Sequence, residues 1–518
     1  MLSPKLPLPP ASRSDDEDFV QQSMRGSFQQ LDIIDGFRTC PTSIQSLGTL
    51  LGLSDVKWTR LSSEILISDD NSGKWSDRWT VLHAGILWRL FLIIGLPNEL
   101  LSHVVDLTDP DDLESLSACC KRMHESAEKK IKQHRNFKDK YTTITFDDAA
   151  PEDRTVIHPF VLLQDVLLEP RIAHYPGVIN LRSWSIKPMQ SPYYLDPDTV
   201  SLQVAQRCTQ RIYDVITHCP YLRRERPADP EEPADPESEI QHGNPDAAIA
   251  LLLTLFPNLQ TLNVTQRLFL YSNVRKMIYK IQQVQSKVPS DAKSSQAFSK
   301  LARVDISPTG DTLDSARIRD LVLLSALPSI ETIRVSNMFY PDYVGIWPPT
   351  PKFIDVAATE IIIVGSVFAS RILAGFLSNA RSLRRFTYQH LRYRGHDAEW
   401  KPLLLVNILQ EYASNTLRHL DLTFTGQAEF PSLETLSHVC NFRGFPVLKK
   451  LRVDYALIAS DKHNDLSGTQ TLADLLPASL EELVIVADAD EEKAAAVLEA
   501  LPEMEKRLLP KLTGVAFE

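Results

Sequence analysis

One pattern limits the possible folds of this 518-residue chain more than any other: hydrophobic-x-x-hydrophobic-x-hydrophobic, often behind a proline, recurring from Leu259 to the last residues. Its copies are Leu259/Leu262/Val264, Leu301/Val304/Ile306, Ile330/Ile333/Val335, a weak Ala358/Ile361/Ile363, Leu383/Phe386/Tyr388, Leu417/Leu420/Leu422, Leu448/Leu451/Val453, Leu480/Leu483/Ile485 and Leu512/Val515/Phe517. The last two positions of each copy lie two apart, the spacing of a short strand with one buried face. Successive copies start about 25 to 42 residues apart, a period that signals stacked supersecondary units. Helical spacing fills the gaps at Ser366 to Ser378, Pro402 to Ser414 and Glu491 to Arg507, so each unit reads as a strand followed by a helix. Strands joined through helices align in parallel, and each repeat buries its apolar face on its neighbours. The expectation is an α/β chain whose larger part is a βα solenoid with a parallel sheet.

Upstream, Tyr141 to Phe146 alternates and is β-branched. His158 to Trp184 then reads as a helix carrying Leu162, Leu163, Val166 and Leu167, followed by a strand carrying Ile179 and Leu181. A further helical pattern runs from about Ser201 to His218. The tract Arg226 to Asp246, RPADPEEPADPESEIQHGNPD, has five prolines and seven acidic residues and no apolar period to offset the entropy of ordering it. It is expected to be a disordered acidic loop, 226–246, within a solenoid spanning 142–518.

Residues 96–141 follow a different pattern. Pro97 suits a helix start, and Leu100, Leu101, Val104 and Val105 give a broad apolar face. Asp109 with Pro110, and Asp111, Asp112 and Glu114 behind them, signal a second helix with its acids at the positive end of the macrodipole. Leu113, Leu116 and Cys120 form its stripe, and Met123, Ala127 and Ile131 mark a third helix. Three short helices bury little core, so this unit is expected to need a partner surface.

The same residues resemble the F-box family: Leu96-Pro97-Asn98-Glu99-Leu100-Leu101, then Pro110-Asp111-Asp112-Leu113, then Cys120-Lys121-Arg122. Met123 stands where that family usually has tryptophan, and a flexible thioether fills such a space. With the repeats behind it, the chain resembles the fungal type of F-box protein, an N-terminal three-helix F-box followed by a degenerate leucine-rich-repeat-like solenoid. The asparagine that typically follows the strand of a leucine-rich repeat is absent at the matching offset.

The resemblance implies a substrate-recognition subunit of an SCF-type cullin ubiquitin ligase, linking a Skp-family adaptor, and through it a cullin, to an unknown protein substrate. The alternatives are a scaffold that does not direct ubiquitylation and a membrane-anchored repeat receptor. Adaptor contacts are expected from Leu96, Pro97, Leu100, Leu101, Val104, Leu113, Leu116 and Met123. Substrate contacts are expected on exposed strand positions, foremost Arg334, Arg384, Arg418 and Arg452, which would form a basic stripe suited to an acidic or phosphorylated target.

Residues 1–78 are expected to be a disordered extension, polar and proline-rich at its start, with the acidic tract Asp15, Asp16, Glu17 and Asp18. Residues 79–95 read as a hydrophobic helix. The run Val81 to Leu96 contains His83 and Arg89 and is shorter than the roughly 20 apolar residues a spanning helix needs. It is expected to pack on the helical unit rather than anchor the chain.

A net charge of −11 argues against general nucleic-acid binding. The six cysteines are sparse and lack C-x-x-C spacing, which fits a reducing compartment, cytoplasm or nucleus, and gives no zinc ribbon. Cys120 and His124 share a helix face without two further ligands in range. With 18 glycines and no G-x-S-x-G, P-loop, H-E-x-x-H or Rossmann pattern, no enzyme, cofactor or metal site is expected. Asp421 and Asp454, in or after expected strands, read as solvating charges.

Overall fold

The computed structural model describes residues 96–147, 155–182, 199–222, 236–265, 272–285, 297–307, 317–340, 356–368, 370–391, 401–425, 440–458, 472–486 and 508–518. The expected extension 1–78 and the hydrophobic helix 79–95 lie outside them. The chain divides into two compact units between Asn136 and Phe137.

The first unit holds α1 (Asn98–Leu107), α2 (Pro110–Ala118) and most of α3 (Lys121–Tyr141). Leu101, Val105, Leu113, Leu116, Met123, Ala127 and Ile131 are buried together as its core. Pro97 occupies the N-cap position of α1, one residue earlier than a first-turn proline, and its carbonyl accepts from Leu101 N at 3.0 Å. Asp109 caps α2 by position, but its side chain makes no capping hydrogen bond; Asp112 N donates instead to the Asp109 carbonyl, at 3.0 Å. The Arg122 guanidinium donates to Asn98 Oδ1 at 2.8 Å, tying the start of α3 to the start of α1, and Lys130 pairs with Asp106 at 3.0 Å.

In the second unit the described residues show the expected strand–helix alternation over most of the sheet. Its elements are β1 (Thr143–Phe146), α4 (Pro159–Leu168), β2 (Val178–Leu181), α5 (Thr199–His218), α6 (Pro236–Gln241), α7 (Pro245–Leu255), β3 (Thr261–Val264), α8 (Ser272–Gln285), β4 (Arg303–Ile306), α9 (Arg317–Ser325), β5 (Thr332–Ser336) and β6 (Phe339–Tyr340). There follow β7 (Glu360–Phe368), α10 (Ser370–Leu377), β8 (Arg385–Leu391), α11 (Pro402–Ala413), β9 (His419–Thr425), β10 (Lys450–Asp454), α12 (Leu472–Leu475), β11 (Glu482–Val486) and β12 (Gly514–Phe517). The strands form one parallel sheet in chain order, with β6 off the path and paired to β7.

Register explains the sequence period. Leu262, Val304, Ile333, Ile361, Phe386, Leu420, Leu451, Leu483 and Val515 stand opposite one another strand by strand. The second positions, Val264 to Phe517, form the parallel row. Ile144 and Phe146 of β1, and Ile179 and Leu181 of β2, extend both rows upstream. All but Val515 and Phe517 in these rows are buried in one core with the helices. The residue before each strand adds a second constraint. Its carbonyl accepts two N–H bonds from the next repeat, as Thr359 does from Arg384 and Arg385, Arg384 from Arg418 and His419, and Arg418 from Lys449 and Lys450.

The helix expected from Ser366 begins later, because Ser366 belongs to β7. There the ladder to β8 shifts register, and Gly365 adopts φ +57°. A Cβ at Gly365 would lie 2.8 Å from Asn337 Oδ1, the end of a side chain that would have to turn aside, so it is the positive φ that calls for glycine. The α11 helix matches expectation, and the pattern at Glu491 to Arg507 lies outside the described residues.

The acidic tract 226–246 needs correction. Its part 226–235 lies outside the described residues, but 236–246 is ordered: Pro236 and Pro245 each open a helix, and Asp246 is buried. Asn244 caps α7 by accepting from Asp246 N at 3.0 Å and donates to Glu239 Oε2 at 2.8 Å. The Asp246 carboxylate in turn caps α8, accepting from Asn273 N at 2.7 Å and Val274 N at 3.3 Å, while Asn273 Nδ2 donates to Glu239. These bonds satisfy first-turn N–H groups that a helix leaves open, and they hold together a segment with little apolar surface.

Burial, helped by the nearby Glu239, pushes the Asp246 carboxyl up to about 6 against the pull of the two backbone N–H groups. The folded state therefore holds this proton more tightly than the unfolded state. Its stabilisation is complete below 3.8 and declines as pH rises to about 6. In Asp246→Asn this dependence is absent, so the melting temperature of the variant minus that of wild type should rise across that window and then level off. A difference that does not change with pH would contradict the assignment. Deleting 226–246 should lower the melting temperature by several degrees or more, since about 1 kcal/mol per lost cap is typical.

Candidate functional site

The structure divides the eight expected adaptor residues into two groups. Leu100, half exposed at 50%, and Pro97 are open to solvent, and Leu96 and Val104 are partly covered. Leu101, Leu113, Leu116 and Met123 are instead core residues that hold the three helices to one another, so their part is to shape the surface from beneath. The sequence reading missed Leu107, 71% exposed at the end of α1. Leu100, Val104 and Leu107 are spaced i, i+4, i+7, one helical stripe; reading the face as i, i+1, i+4, i+5 merged this stripe with the buried one. Leu100 and Leu107 are thus exposed, with Val104 half-covered between them, on a helix that buries Leu101 and Val105.

Cys120 and His124 are not brought together as ligands. The Cys120 Sγ accepts from Met123 N at 3.4 Å, and the neighbouring Cys119 thiol, pushed up to about 11 by burial, donates to the Ser115 carbonyl. Among the described residues no group of three or more His, Cys, Asp or Glu could hold a metal ion.

The second candidate surface is the side of the sheet opposite the buried rows. At its upstream end it is neutral: Asn180 Nδ2 donates to Thr145 Oγ1 at 2.9 Å, and Asn263 Nδ2 to Asn180 Oδ1 at 2.6 Å, an amide ladder across three strands. From β4 onward it is charged and largely paired. Arg303 binds Asp305 at 2.8 Å, Arg385 binds Glu360 at 3.0 Å, Lys449 binds Glu481 at 2.8 Å, and Lys450 pairs with Glu482.

The four arginines expected as one basic stripe are separated by this geometry. Arg452 faces Asp421 across the ladder and is engaged by Asp421 at 3.3 Å and Glu518 at 2.9 Å. Burial lifts the Asp421 carboxyl above its ordinary range even so, outweighing the pull of Arg452. Arg334 lies on β5 between Asp305 and Ile362, with β7 between it and the other three. Only Arg384 and Arg418 are neighbours, in the row of residues that precede the strands. His419 beside them accepts from Arg385 Nε at 3.1 Å; burial first, then the Arg385 and Lys450 charges, hold its pKa below the usual imidazole value.

The split between the two leucine groups is open to measurement. Leu101→Ala should destabilise the chain by about 2–5 kcal/mol as a buried leucine truncation, whereas Leu107→Ala should change stability by less than about 0.5 kcal/mol. Comparable losses in denaturant titrations of both variants would contradict the packing described.

No curated protein matches the chain. Residues 93–133 match the family described as F-box domain, which covers α1, α2 and the first half of α3 and stops short of the expected end at Tyr141. F-box domains in general bind Skp-family adaptors and serve as non-catalytic recognition parts of SCF-type ligases. The chain thus carries an F-box domain ahead of a βα repeat sheet.

Proposed function

We propose that this chain is the substrate-recognition subunit of an SCF-type cullin ubiquitin ligase, working in the cytoplasm or nucleus. The observation that carries this reading is the F-box match on a helical unit whose first helix leaves Leu100, Val104 and Leu107 uncovered or partly covered. In this reading α1 docks on the Skp-family adaptor, the adaptor brings the cullin, and the repeat sheet holds a protein target. The chain itself performs no bond-making step. Its contribution to ubiquitin transfer is proximity, which turns an encounter between a target lysine and a charged conjugating enzyme into a local event.

The strand order supports a binding role for the second unit. Ligand crevices of open α/β sheets lie where strand order reverses, and here the strands follow one another without reversal among the described residues. A long exposed face studded with charges is the recognition surface such repeats offer. Among the described residues no helix is long and apolar enough to cross a membrane; the segment Val81 to Leu96 lies almost wholly outside them.

Affinity capture of the full chain should recover the adaptor and a cullin, with a target that accumulates when the proteasome is inhibited. Leu100→Glu combined with Leu107→Glu should weaken adaptor capture by roughly tenfold or more, as loss of two apolar anchors does, while leaving the melting temperature near wild type. Adaptor capture unchanged in this folded double variant would exclude α1 as the docking helix. Recovery of adaptor and cullin without any stabilised target would favour the scaffold reading.

A further inference from the structure

Three consecutive repeats carry cations at the position before the strand, Arg384, Arg418 and Lys449, and two of them a second at its start, Arg385 and Lys450, where the middle repeat has His419. In the flanking repeats the corresponding pairs are Thr359-Glu360 and Glu481-Glu482. Each flanking carboxylate takes a cation one strand away, Glu360 from Arg385, Glu481 from Lys449 and Glu482 from Lys450. That leaves the middle of the cluster uncompensated. The guanidinium groups of Arg384 and Arg418 have no ion-pair or hydrogen-bond partner among the described residues, and both side chains are exposed.

The backbone forces these two charges side by side, because Arg418 N bonds to the Arg384 carbonyl across a strand spacing of about 4.8 Å. Like charges directly opposed across a ladder are destabilising. On the strands around them Arg385, Lys449, Lys450 and Arg452 are each answered by a carboxylate one strand away; Arg384 and Arg418 are not. Beside Arg418 and Lys449 lies an open depression whose lining also includes Pro446, Val447, Ser479, Lys511 and Glu481, the last taken up by Lys449, so the cations border a partly apolar floor.

We infer that Arg384 and Arg418, with the depression beside Arg418, form the docking site for a carboxylate-rich segment of a protein partner. The inference rests on the proposed function in taking that partner to be the target. The occupant is assigned from the surface's own chemistry: Asp and Glu side chains supply the counter-charge at Arg385, Lys449, Lys450 and Arg452, and a segment presenting them would complete the same pattern over Arg384 and Arg418. The guanidinium fork matches a carboxylate with two parallel N–H bonds. Arg334 and Arg452, the other two expected target residues, fall outside this site.

The test uses the full chain and a fluorescein-labelled peptide of alternating glycine and glutamate, with the glutamine version as reference and a phosphoserine version as rival. Fluorescence anisotropy at low salt should show the glutamate peptide binding more tightly than the glutamine peptide. Arg384→Gln with Arg418→Gln should weaken it roughly fivefold or more, while Arg275→Gln with Lys276→Gln on α8 should not. Equal binding by the double variant and wild type would overturn the site. Preference for phosphoserine with no binding of the glutamate peptide would overturn the carboxylate assignment. Binding that appears only after Asp15, Asp16, Glu17 and Asp18 are changed to asparagine or glutamine would overturn the assignment to a partner by placing the chain's own tract there. Adaptor capture measured alongside separates the two readings: its failure with peptide binding intact removes the proposed function and leaves the site standing.

Discussion

The backbone carbonyl that precedes each strand, accepting two N–H groups from the next repeat, is the interaction on which the second unit depends. It fixes where each strand starts relative to the one before. Once that point is fixed, the two apolar residues of every repeat fall into two rows and meet the helices together. A shift of one residue would turn both rows to solvent, so the hydrophobic pattern and the corner bonds enforce the same register. The parallel ladder also settles what kind of surface is left. The charged side chains lie on the strand positions that face away from the core and in the row that precedes the strands.

That exposed face is arranged by the same register. Residues one repeat apart stand opposite each other, so a charge in one repeat is answered, or not, by the residue about thirty positions on. Arg452 is answered twice, by Asp421 and Glu518, and Lys449 and Lys450 once each. These pairs are exposed enough that solvent screening leaves each worth little to stability. Their effect is on where charge remains available, and among the described residues the adjacent Arg384 and Arg418 are where two such charges meet.

Much of this was legible in the chain itself. Each hydrophobic triplet from Leu262/Val264 onward is a strand in register, because a half-buried strand imposes a period of two that few other structures share. The F-box residues were legible for a similar reason, since helix starts and apolar stripes coincide within a short span. The acidic tract was misread because its order comes from hydrogen bonds rather than from an apolar period. Pro236 and Pro245 read as loop residues in an acidic context but serve as helix openers, and the partner of Asp246 lies in α8, 27 residues away. Which leucines of α1 are buried depended on packing against α2 and α3. The basic stripe failed for another reason: pairing partners such as Asp421 and Glu518 become visible only once the strands are set side by side.

The claim under all of this is that the strands lie side by side in chain order, and distances between exposed strand positions measure it most directly. Spin labels at positions 303 and 385 of the full chain span three ladder steps, and labels at 303 and 450 span five. Pulsed electron resonance should return separations near 14 Å and 24 Å for the backbone sites, each step adding about 4.8 Å. A separation for 303 and 450 that equals or falls below that for 303 and 385 would mean that the strand order reverses, and the chain would not be a sequential βα repeat.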